Sequence, residues 1–261
     1  MKFLVCIKHV PDTETKVAVH SDGKRLDPAA VSKWGASPYD EYALEQALRF
    51  REAAGEGEVI AACAGPQAAQ TTLRAALATG ADRAILIEDE RFDAAESLSR
   101  ARVLAAVVAK ENPDMVLLGK YGVGTDEGST GPMLAELMDW PHVAAISAVA
   151  LDGQNFNASR AVEGAVEIHE GTLPAVLTCD KGLNEPRLPS LRGIMQSKKK
   201  PIKTLRVGDL GLDAAVLDDS KIRWEAFVLP PARQSGRLIE GDAESAAAEL
   251  VRLLHEEAKV L

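Results

Sequence analysis

Four short apolar runs alternate with helical patterns in the first half of the chain, and this alternation constrains the fold most strongly. The runs lie at residues 2–8, 58–64, 83–88 and 114–119. Each is rich in Val, Ile and Leu and lacks polar alternation, which is typical of a strand buried on both faces of a parallel sheet. With helices between the runs, the order predicts an α/β fold with a doubly wound, mostly parallel, Rossmann-like sheet.

Capping signals place the intervening helices. Ser37 is predicted to cap a helix that has Pro38 at its first position. A second helix is predicted over residues 67–79 and ends at Gly80, where a left-handed residue is expected. A third is predicted over residues 94–110. Together they supply the three crossover connections that four parallel strands require.

The second half of the chain changes in character. Further strands are predicted at residues 143–151, 156–168 and 175–179, the first two forming a hairpin around Asp152-Gly153. After residue 200 the chain becomes irregular and closes with an amphipathic helix at 242–259. This part has too little apolar content to fold alone.

Three regions follow from this reading. Residues 1–185 are predicted to form the α/β core, and residues 186–200 a surface loop for recognition. Residues 201–261 are predicted to form a C-terminal arm that embraces a partner protein. The first residues lead directly into a strand without the pattern of a leader peptide, so we expect a bacterial cytoplasmic protein.

Charge and cysteine content exclude several classes of function. The formal net charge of −9 argues against nucleic acid as a partner. The cysteines, Cys6, Cys63 and Cys179, are widely spaced in apolar runs, so we interpret them as buried small side chains in a reducing compartment. The scattered histidines form neither a metal site nor a nucleophile–base pair, and no catalytic residue is assigned.

The segment at residues 186–200 is predicted to be a docking surface. Two prolines stiffen it, and apolar side chains then stand close to a basic run. An acidic protein surface is the natural partner of such a run. A second interpretation stays open, in which the leucine folds back onto the core. The candidate partner-binding residues are Leu191, Ile194, Met195, Lys198, Lys199 and Lys200.

A glycine-rich loop follows the fourth apolar run, at residues 119–131. Its five glycines let a backbone approach a ligand closely, and the helix after it offers free N–H groups to a phosphate. The loop lies where open α/β sheets bind ligands, at the carboxyl end of a strand. A turn without a ligand is the alternative. The sequence matches neither a P-loop nor the dinucleotide fingerprint of the first strand.

Residues across the whole chain support a resemblance to a known family. Asn184-Glu185-Pro186-Arg187, with Leu191 and Ile194-Met195 after them, resembles the recognition loop of the electron transfer flavoprotein beta subunit. Residues 160–178 follow the spacing of that family's signature, although Ala165 and His169 depart from it. The resemblance implies an electron carrier rather than an enzyme. In that family a leucine of the recognition loop, here Leu191, anchors the flavoprotein to its dehydrogenases.

The resemblance also implies an adenine-nucleotide-binding fold that holds one AMP. One departure is that Gly124-Thr125-Asp126 keeps a single aspartate where the family commonly has consecutive ones. The implied nucleotide-binding residues are Cys6, Ser37, Pro38, Tyr39, Asp40, Ala64, Gly119, Lys120, Tyr121, Gly122, Val123, Gly124, Thr125, Asp126, Glu127, Gly128, Ser129 and Thr130.

The implied partners are an alpha subunit that holds the principal FAD, a flavin-dependent dehydrogenase, and a quinone reductase or another acceptor. Tyr39 and residues 10–13 match beta-subunit positions at the edge of that FAD, although Tyr39 also fits an ordinary core aromatic. Two alternatives stay open. One is an electron-bifurcating flavoprotein with a second FAD in this site. Pro132 is similar to the proline that ends the corresponding loop of such proteins. The other is a nucleotide-hydrolysing or adenylyl-transferring enzyme, for which Asp126 and Glu127 are the available carboxylates.

Overall fold

The computed structural model describes residues 1–222, 224–233 and 235–261. In chain order the strands of these residues are β1 (Lys2–Cys6), β2 (His9–Pro11), β3 (Trp34–Ala36), β4 (Glu58–Gly65), β5 (Arg83–Glu88), β6 (Met115–Gly119), β7 (His142–Asp152), β8 (Asn155–Val162), β9 (Ala165–Thr172), β10 (Ala175–Cys179) and β11 (Ile202–Leu205). The α-helices are α1 (Pro38–Ala54), α2 (Gln70–Thr79), α3 (Ser97–Glu111), α4 (Thr130–Met138), α5 (Leu191–Ser197) and α6 (Ala243–Glu256). Two compact units make up the chain, Met1–Phe227 and Val228–Leu261.

The first unit contains a nine-stranded sheet with the order β11-β5-β4-β1-β6-β10-β7-β8-β9. All pairs from β11 to β7 are parallel, and β7, β8 and β9 are antiparallel to one another. The predicted doubly wound, mostly parallel α/β fold is therefore confirmed. A separate two-stranded antiparallel ribbon pairs β2 with β3.

Helices cover both faces of the parallel part of the sheet. Leu44, Leu48 and Leu73, from α1 and α2, pack in the core on one face. Leu104 and Leu134, from α3 and α4, pack in the core on the other face. Burial on both faces explains why the central strands lack polar alternation.

The helix ends partly match their predicted caps. Ser37 occupies the N-cap position of α1, with Pro38 as the first helical residue, but the Ser37 hydroxyl makes no capping hydrogen bond. Gly80 ends α2 with φ of 153°, outside the predicted αL region but still in a conformation that favours glycine. Helix α3 begins at Ser97, three residues after the predicted start, because a short 3-10 turn precedes it.

Three features of the second half differ from their predictions. Residues 156–168 are not one strand, because a turn at Glu163-Gly164 divides them between β8 and β9. The recognition region is not a loop throughout, since residues 191–197 form α5 after the N-cap Ser190. The first unit continues past residue 200, because β11 pairs with β5.

The second unit contains α6, which Asp242 caps by accepting a hydrogen bond from the Ser245 N–H group. Arg252 pairs with Glu249 at 2.8 Å and with Glu256 at 2.6 Å along the helix. These i,i+3 and i,i+4 pairs support an exposed helix by a few tenths of a kcal/mol each. The helix leaves Leu250 about half exposed, so its apolar stripe is available to another surface.

Candidate functional site

A cleft lies at the carboxyl ends of β1, β4 and β6. It encloses about 670 Å³ of empty space, within the usual range for a small-molecule site. From β1 the chain adds β4 and β5 on one side, and then crosses to add β6 on the other side. Strand order therefore reverses between β1 and β6, and open α/β sheets bind ligands at such a reversal.

Asp40 joins the two strands at this reversal. Its buried carboxylate accepts hydrogen bonds from the backbone N–H groups of Lys8, at 2.7 Å, and Gly119, at 2.9 Å. These residues continue β1 and end β6, so one side chain in the first turn of α1 fixes both strand ends. Burial raises the pKa of Asp40 to about 7, although both N–H groups favour the ionised form.

Glycines let the loop after β6 approach its neighbours. A Cβ at Gly119 would lie 2.5 Å from Cβ of Tyr39, and a Cβ at Gly122 would collide with the Lys8 side chain. Gly124 and Gly128 have φ of 97° and 66°, conformations that side-chain-bearing residues rarely adopt. The glycines at these positions are therefore a requirement of the loop's path.

Ser37 holds this loop against the start of α1. Its hydroxyl oxygen accepts a hydrogen bond from the N–H of Val123 at 3.2 Å and lies 3.5 Å from the carbonyl oxygen of Tyr121. The residue predicted to cap the helix thus ties the glycine-rich loop to the helix. This contact explains why Ser37 is fully buried.

Charged side chains surround the cleft. Lys8 Nζ donates to Thr125 Oγ1 at 2.8 Å. Burial, with Arg100 nearby, lowers the pKa of Lys8 to about 8. Arg100 lines the cleft from α3, and the Glu127 carboxylate accepts a hydrogen bond from the Ser97 hydroxyl. An anion bound in the cleft would favour the charged form of Lys8.

An aromatic pair stands beside the cleft. The hydroxyl oxygens of Tyr39 and Tyr121 are 3.0 Å apart, and their ring centroids are 4.5 Å apart. Lys120 Nζ lies 5.0 Å from the Tyr39 centroid and 5.1 Å from the Tyr121 centroid, and it pairs with Asp180 at 2.8 Å. Tyr39 is thus packed against the loop and is not a core aromatic.

The structure brings most of the predicted nucleotide-binding residues together around the cleft. Those that line it are Cys6, Asp40, Ala64, Gly119, Lys120, Tyr121, Gly122, Thr125, Glu127, Gly128 and Thr130. Those that lie at the start of α1 or in the loop after β6 but do not line it are Ser37, Pro38, Tyr39, Val123, Gly124, Asp126 and Ser129.

Several lining residues were missed from the sequence: Ile7, Lys8, Ala62, Ser97, Arg100, Leu104, Leu118 and Gly131. The position of Lys8 immediately after the first strand is a signal that could have found it. Arg100 carried no such signal, because it is one basic residue within a helix.

The cleft suits a ligand that is part apolar and part anionic. Small and branched side chains from β4, α3 and β6 form one part of its lining, including Ala62, Leu104 and Leu118. Lys8, Thr125 and the N-terminus of α4 form the polar part, where the first N–H groups of a helix are free to bind an anion. This division matches the base and phosphate of a nucleotide.

The α5 segment (residues 186–200) presents a different kind of surface. Leu191, Ile194 and Met195 are 84%, 43% and 72% exposed, and Leu188, which the sequence reading did not include, is 89% exposed. Lys198 and Lys199 are also exposed. Lys200 is engaged differently, because its Nζ donates to the carbonyl oxygen of Ala81 at 2.5 Å and lies 3.2 Å from that of Leu77.

The three cysteines are free and buried. Burial raises the pKa of the Cys63 thiol to about 12, so it stays protonated and unreactive at neutral pH. In the part of the chain that the structure describes, every helix is too short or too polar to cross a bilayer.

Comparison with known proteins identifies relatives along the whole chain. The model of the electron transfer flavoprotein domain matches residues 29–210. The electron transfer flavoprotein subunit beta of Bacillus subtilis is 39% identical in an alignment of 262 residues that covers 100% of both chains. That of Bradyrhizobium diazoefficiens is 38% identical over the full length of both chains. The human subunit beta is 39% identical over 92% of this chain and 93% of its own.

Proposed function

The chain belongs to the electron transfer flavoprotein family as a beta subunit, and on this basis we propose that it works in a heterodimer as an electron carrier in the bacterial cytoplasm. The heterodimer takes electrons from a flavin-dependent dehydrogenase and passes them to a quinone reductase or another acceptor. The observation that carries this proposal is the similarity to beta subunits from bacteria over the full chain, and to the human subunit over 92% of it. No residue of this chain is assigned a catalytic step.

We propose AMP as the nucleotide of the cleft. The apolar lining near Ala62 and Leu104 fits an adenine ring, and Lys8 with the α4 N-terminus fits a phosphate. The Glu127 carboxylate can accept hydrogen bonds from ribose hydroxyl groups. AMP supplies no redox chemistry when bound. Its role is to fill the cleft between β1 and β6 and so stiffen the sheet.

The alpha subunit holds the FAD in this proposal, and the beta subunit covers the FAD's edge. Tyr39 and residues 10–13 supply the beta side of that contact. Tyr39 already lies against Lys120 and Tyr121, so its ring is held in place before any flavin arrives.

The C-terminal arm, residues 201–261, supplies further contacts to the alpha subunit. Support comes from large apolar side chains that stay exposed: Ile222, Trp224, Val228, Leu229 and Leu238. Each such side chain would stabilise an interface by roughly 1.5–3 kcal/mol on burial, before entropy costs. Expressed alone, the chain should therefore aggregate, and co-expression with an alpha subunit should rescue it. A monodisperse, high-melting monomer would contradict this part of the proposal.

Docking of the dehydrogenase is assigned to the α5 segment. Leu191 is almost fully exposed at the start of α5, although leucine normally buries its side chain. Lys198 and Lys199 add positive charge beside it. An apolar anchor next to a charged rim has the composition of a protein-binding surface.

Electron transfer itself provides the test of the proposal. A heterodimer reconstituted with an alpha subunit should show visible flavin absorbance that bleaches when a flavin-dependent dehydrogenase and its substrate are added. Bleaching should depend on the dehydrogenase and reverse with an electron acceptor. A heterodimer that binds flavin but is not reduced by any dehydrogenase of its source organism would refute the carrier role.

A further inference from the structure

The α5 segment is fixed to the core by ion pairs at its first end and by hydrogen bonds to backbone carbonyl groups at its second end. Its apolar residues stand in solvent, yet the backbone that carries them is bound to α1 on one side and to α2 on the other. Holding surface side chains in place lowers their conformational entropy, which opposes folding. This ordered arrangement therefore calls for an explanation.

Arg187 makes the attachment to α1. Its Nε and Nη2 lie 2.7 and 3.1 Å from the two carboxylate oxygens of Glu45, and its backbone N–H donates to Glu45 at 3.3 Å. The Nη1 and Nη2 atoms of the same guanidinium group lie 2.5 and 2.9 Å from the carboxylate oxygens of Glu52, about two helical turns further along α1. Two bidentate contacts to one helix fix both the position and the direction of the Arg187 side chain.

The burial of Glu45 makes this attachment specific. The Glu45 side chain is only 4% exposed, whereas Glu52 is 49% exposed. A buried carboxylate needs partners, and Glu45 has two, Arg187 and Arg49, whose Nε donates at 2.8 Å. Next to Arg187, Asn184 donates to the carbonyl oxygen of Tyr42 at 3.0 Å. The N-terminal end of the α5 segment is therefore attached to α1 at several positions.

Arg74 and Lys200 make the attachment to α2. Arg74 donates to the carbonyl oxygens of Ser197 and Lys200, the latter at 2.8 Å. Lys200 in turn donates to Ala81. Between the two attachments Gly193 packs so closely on α2 that a Cβ there would collide with the carbonyl oxygen of Ala78. The helix backbone thus touches α2 while Leu191 and Met195 remain exposed.

We propose that Arg187 is a positioning residue for dehydrogenase docking: its paired contacts with Glu45 and Glu52 hold the α5 segment so that Leu191 is presented in a fixed orientation. The inference rests on the proposed docking role of the segment. Binding then orders little additional chain, and affinity gains from this preorganisation. Arg187 touches neither the partner nor a cofactor in this account and acts only through the segment it holds.

The experiment compares variants of the reconstituted heterodimer, with a dehydrogenase from the source organism that reduces the wild-type flavoprotein as the probe. Arg187→Ala and the milder Glu52→Gln are the test variants. Arg49→Ala is the matched control, because Arg49 pairs with the same buried Glu45 but belongs to α1 and leaves the segment attached. Flavin reduction is measured against flavoprotein concentration, and amide exchange is measured over residues 186–200.

Arg187→Ala should raise the half-saturating flavoprotein concentration about three- to tenfold and leave the rate at saturation unchanged. Amide exchange in the segment should accelerate. Glu52→Gln should do the same more weakly, and Arg49→Ala should change neither quantity. If Arg49→Ala has the same effect as Arg187→Ala, the network serves general stability and the inference is wrong.

A double variant separates positioning from the docking role itself. In a heterodimer that carries Leu191→Ala, adding Arg187→Ala should weaken reduction no further, because the anchor that the network positions is already gone. Additive losses would overturn the positioning role. If Leu191→Ala alone has no effect, the proposed docking function fails instead, and the two failures are thereby distinguished.

Discussion

The cleft at the carboxyl ends of β1, β4 and β6 and the α5 segment are opposite kinds of surface on the same unit. The cleft is concave and lies at the carboxyl edge of the strands, where backbone groups and glycines line a space of about 670 Å³. The α5 segment is exposed, and charged side chains hold its backbone so that apolar side chains can face outward. The first region is suited to enclose a small molecule in a sheltered space. The second is suited to contact another protein through exposed apolar side chains.

A consequence of this difference is that the two regions should fail independently. Substitutions in the cleft should alter nucleotide content and assembly, and substitutions of the exposed side chains of the α5 segment should alter docking alone. A substitution that disturbs both regions at once would contradict that separation.

Gly128→Val should reduce nucleotide affinity roughly a hundredfold, because a β-branched residue at φ of 66° is strained by about 1–3 kcal/mol and Gly128 lines the cleft. The measurement is nucleotide retained per purified heterodimer. Gly153→Val is the control, since Gly153 has φ of 58° in the turn between β7 and β8 with open space around it. Equal losses in both variants would mean that backbone strain, not the cleft, is responsible.

Leu191→Ala should weaken docking to the dehydrogenase about thirtyfold, which corresponds to about 2 kcal/mol for an apolar anchor. Nucleotide and flavin content should not change. Reduction kinetics at sub-saturating flavoprotein measure the effect, and Leu137→Ala, at a half-exposed leucine of α4, is the matched control. Unchanged kinetics would return Leu191 to the interpretation of local packing.

Asp40 should make stability depend on pH in a defined window. Its pKa is about 7 when folded, against about 3.9 in an unfolded chain. Between these values the folded chain holds a proton that the unfolded chain has released. The Asp40 contribution to the free energy of unfolding therefore falls as pH rises from about 4 to 7, by at most about 1.4 kcal/mol per pH unit, and is constant above.

Asp40→Asn should remove that slope, measured by denaturant unfolding of the heterodimer at several pH values. Asp114→Asn is the control, because Asp114 accepts the Lys2 N–H at the opposite end of β1. A wild-type profile that stays parallel to that of Asp40→Asn would show that Asp40 does not titrate in this window. Because all other titrating groups are the same in both proteins, the difference between the two profiles reports on Asp40 alone.

Neutralising Lys198 and Lys199 together should slow association a few-fold at low salt and reduce its salt dependence, because exposed charge steers encounter. Lys200→Met should instead lower stability, since Lys200 donates to backbone carbonyl groups of the core. Stopped-flow association at several ionic strengths distinguishes them. An equal salt effect from Lys200→Met would show that its charge also faces the partner.

The sequence predicted the part of the fold that burial dictates. The apolar runs that became β1, β4, β5 and β6 have little freedom, because only a strand covered on both faces accommodates them. Strand β11 was missed, since Ile-Lys-Thr-Leu at the sheet edge is half polar and exposed. Helix α5 was missed because the two prolines before it outweighed Ser190, whose hydroxyl caps the helix by accepting the Gly193 N–H at 3.0 Å.

The candidate site was predictable where loops carry it and not where helices do. Gly119, Gly122 and Gly128 stand out in the sequence because a backbone constraint requires them. Arg100 enters the cleft only because α3 packs across that face of the sheet. The attachment of Arg187 to Glu45 spans 142 positions, so no local pattern could have indicated it.

The most direct test of the central claim counts nucleotides in the co-purified heterodimer. The protein is denatured, and the released AMP and FAD are quantified per heterodimer by chromatography. We predict one AMP and one FAD, with AMP lost and FAD kept in Gly128→Val. Two FAD and no AMP would contradict the assignment of the cleft and identify it as a second flavin site.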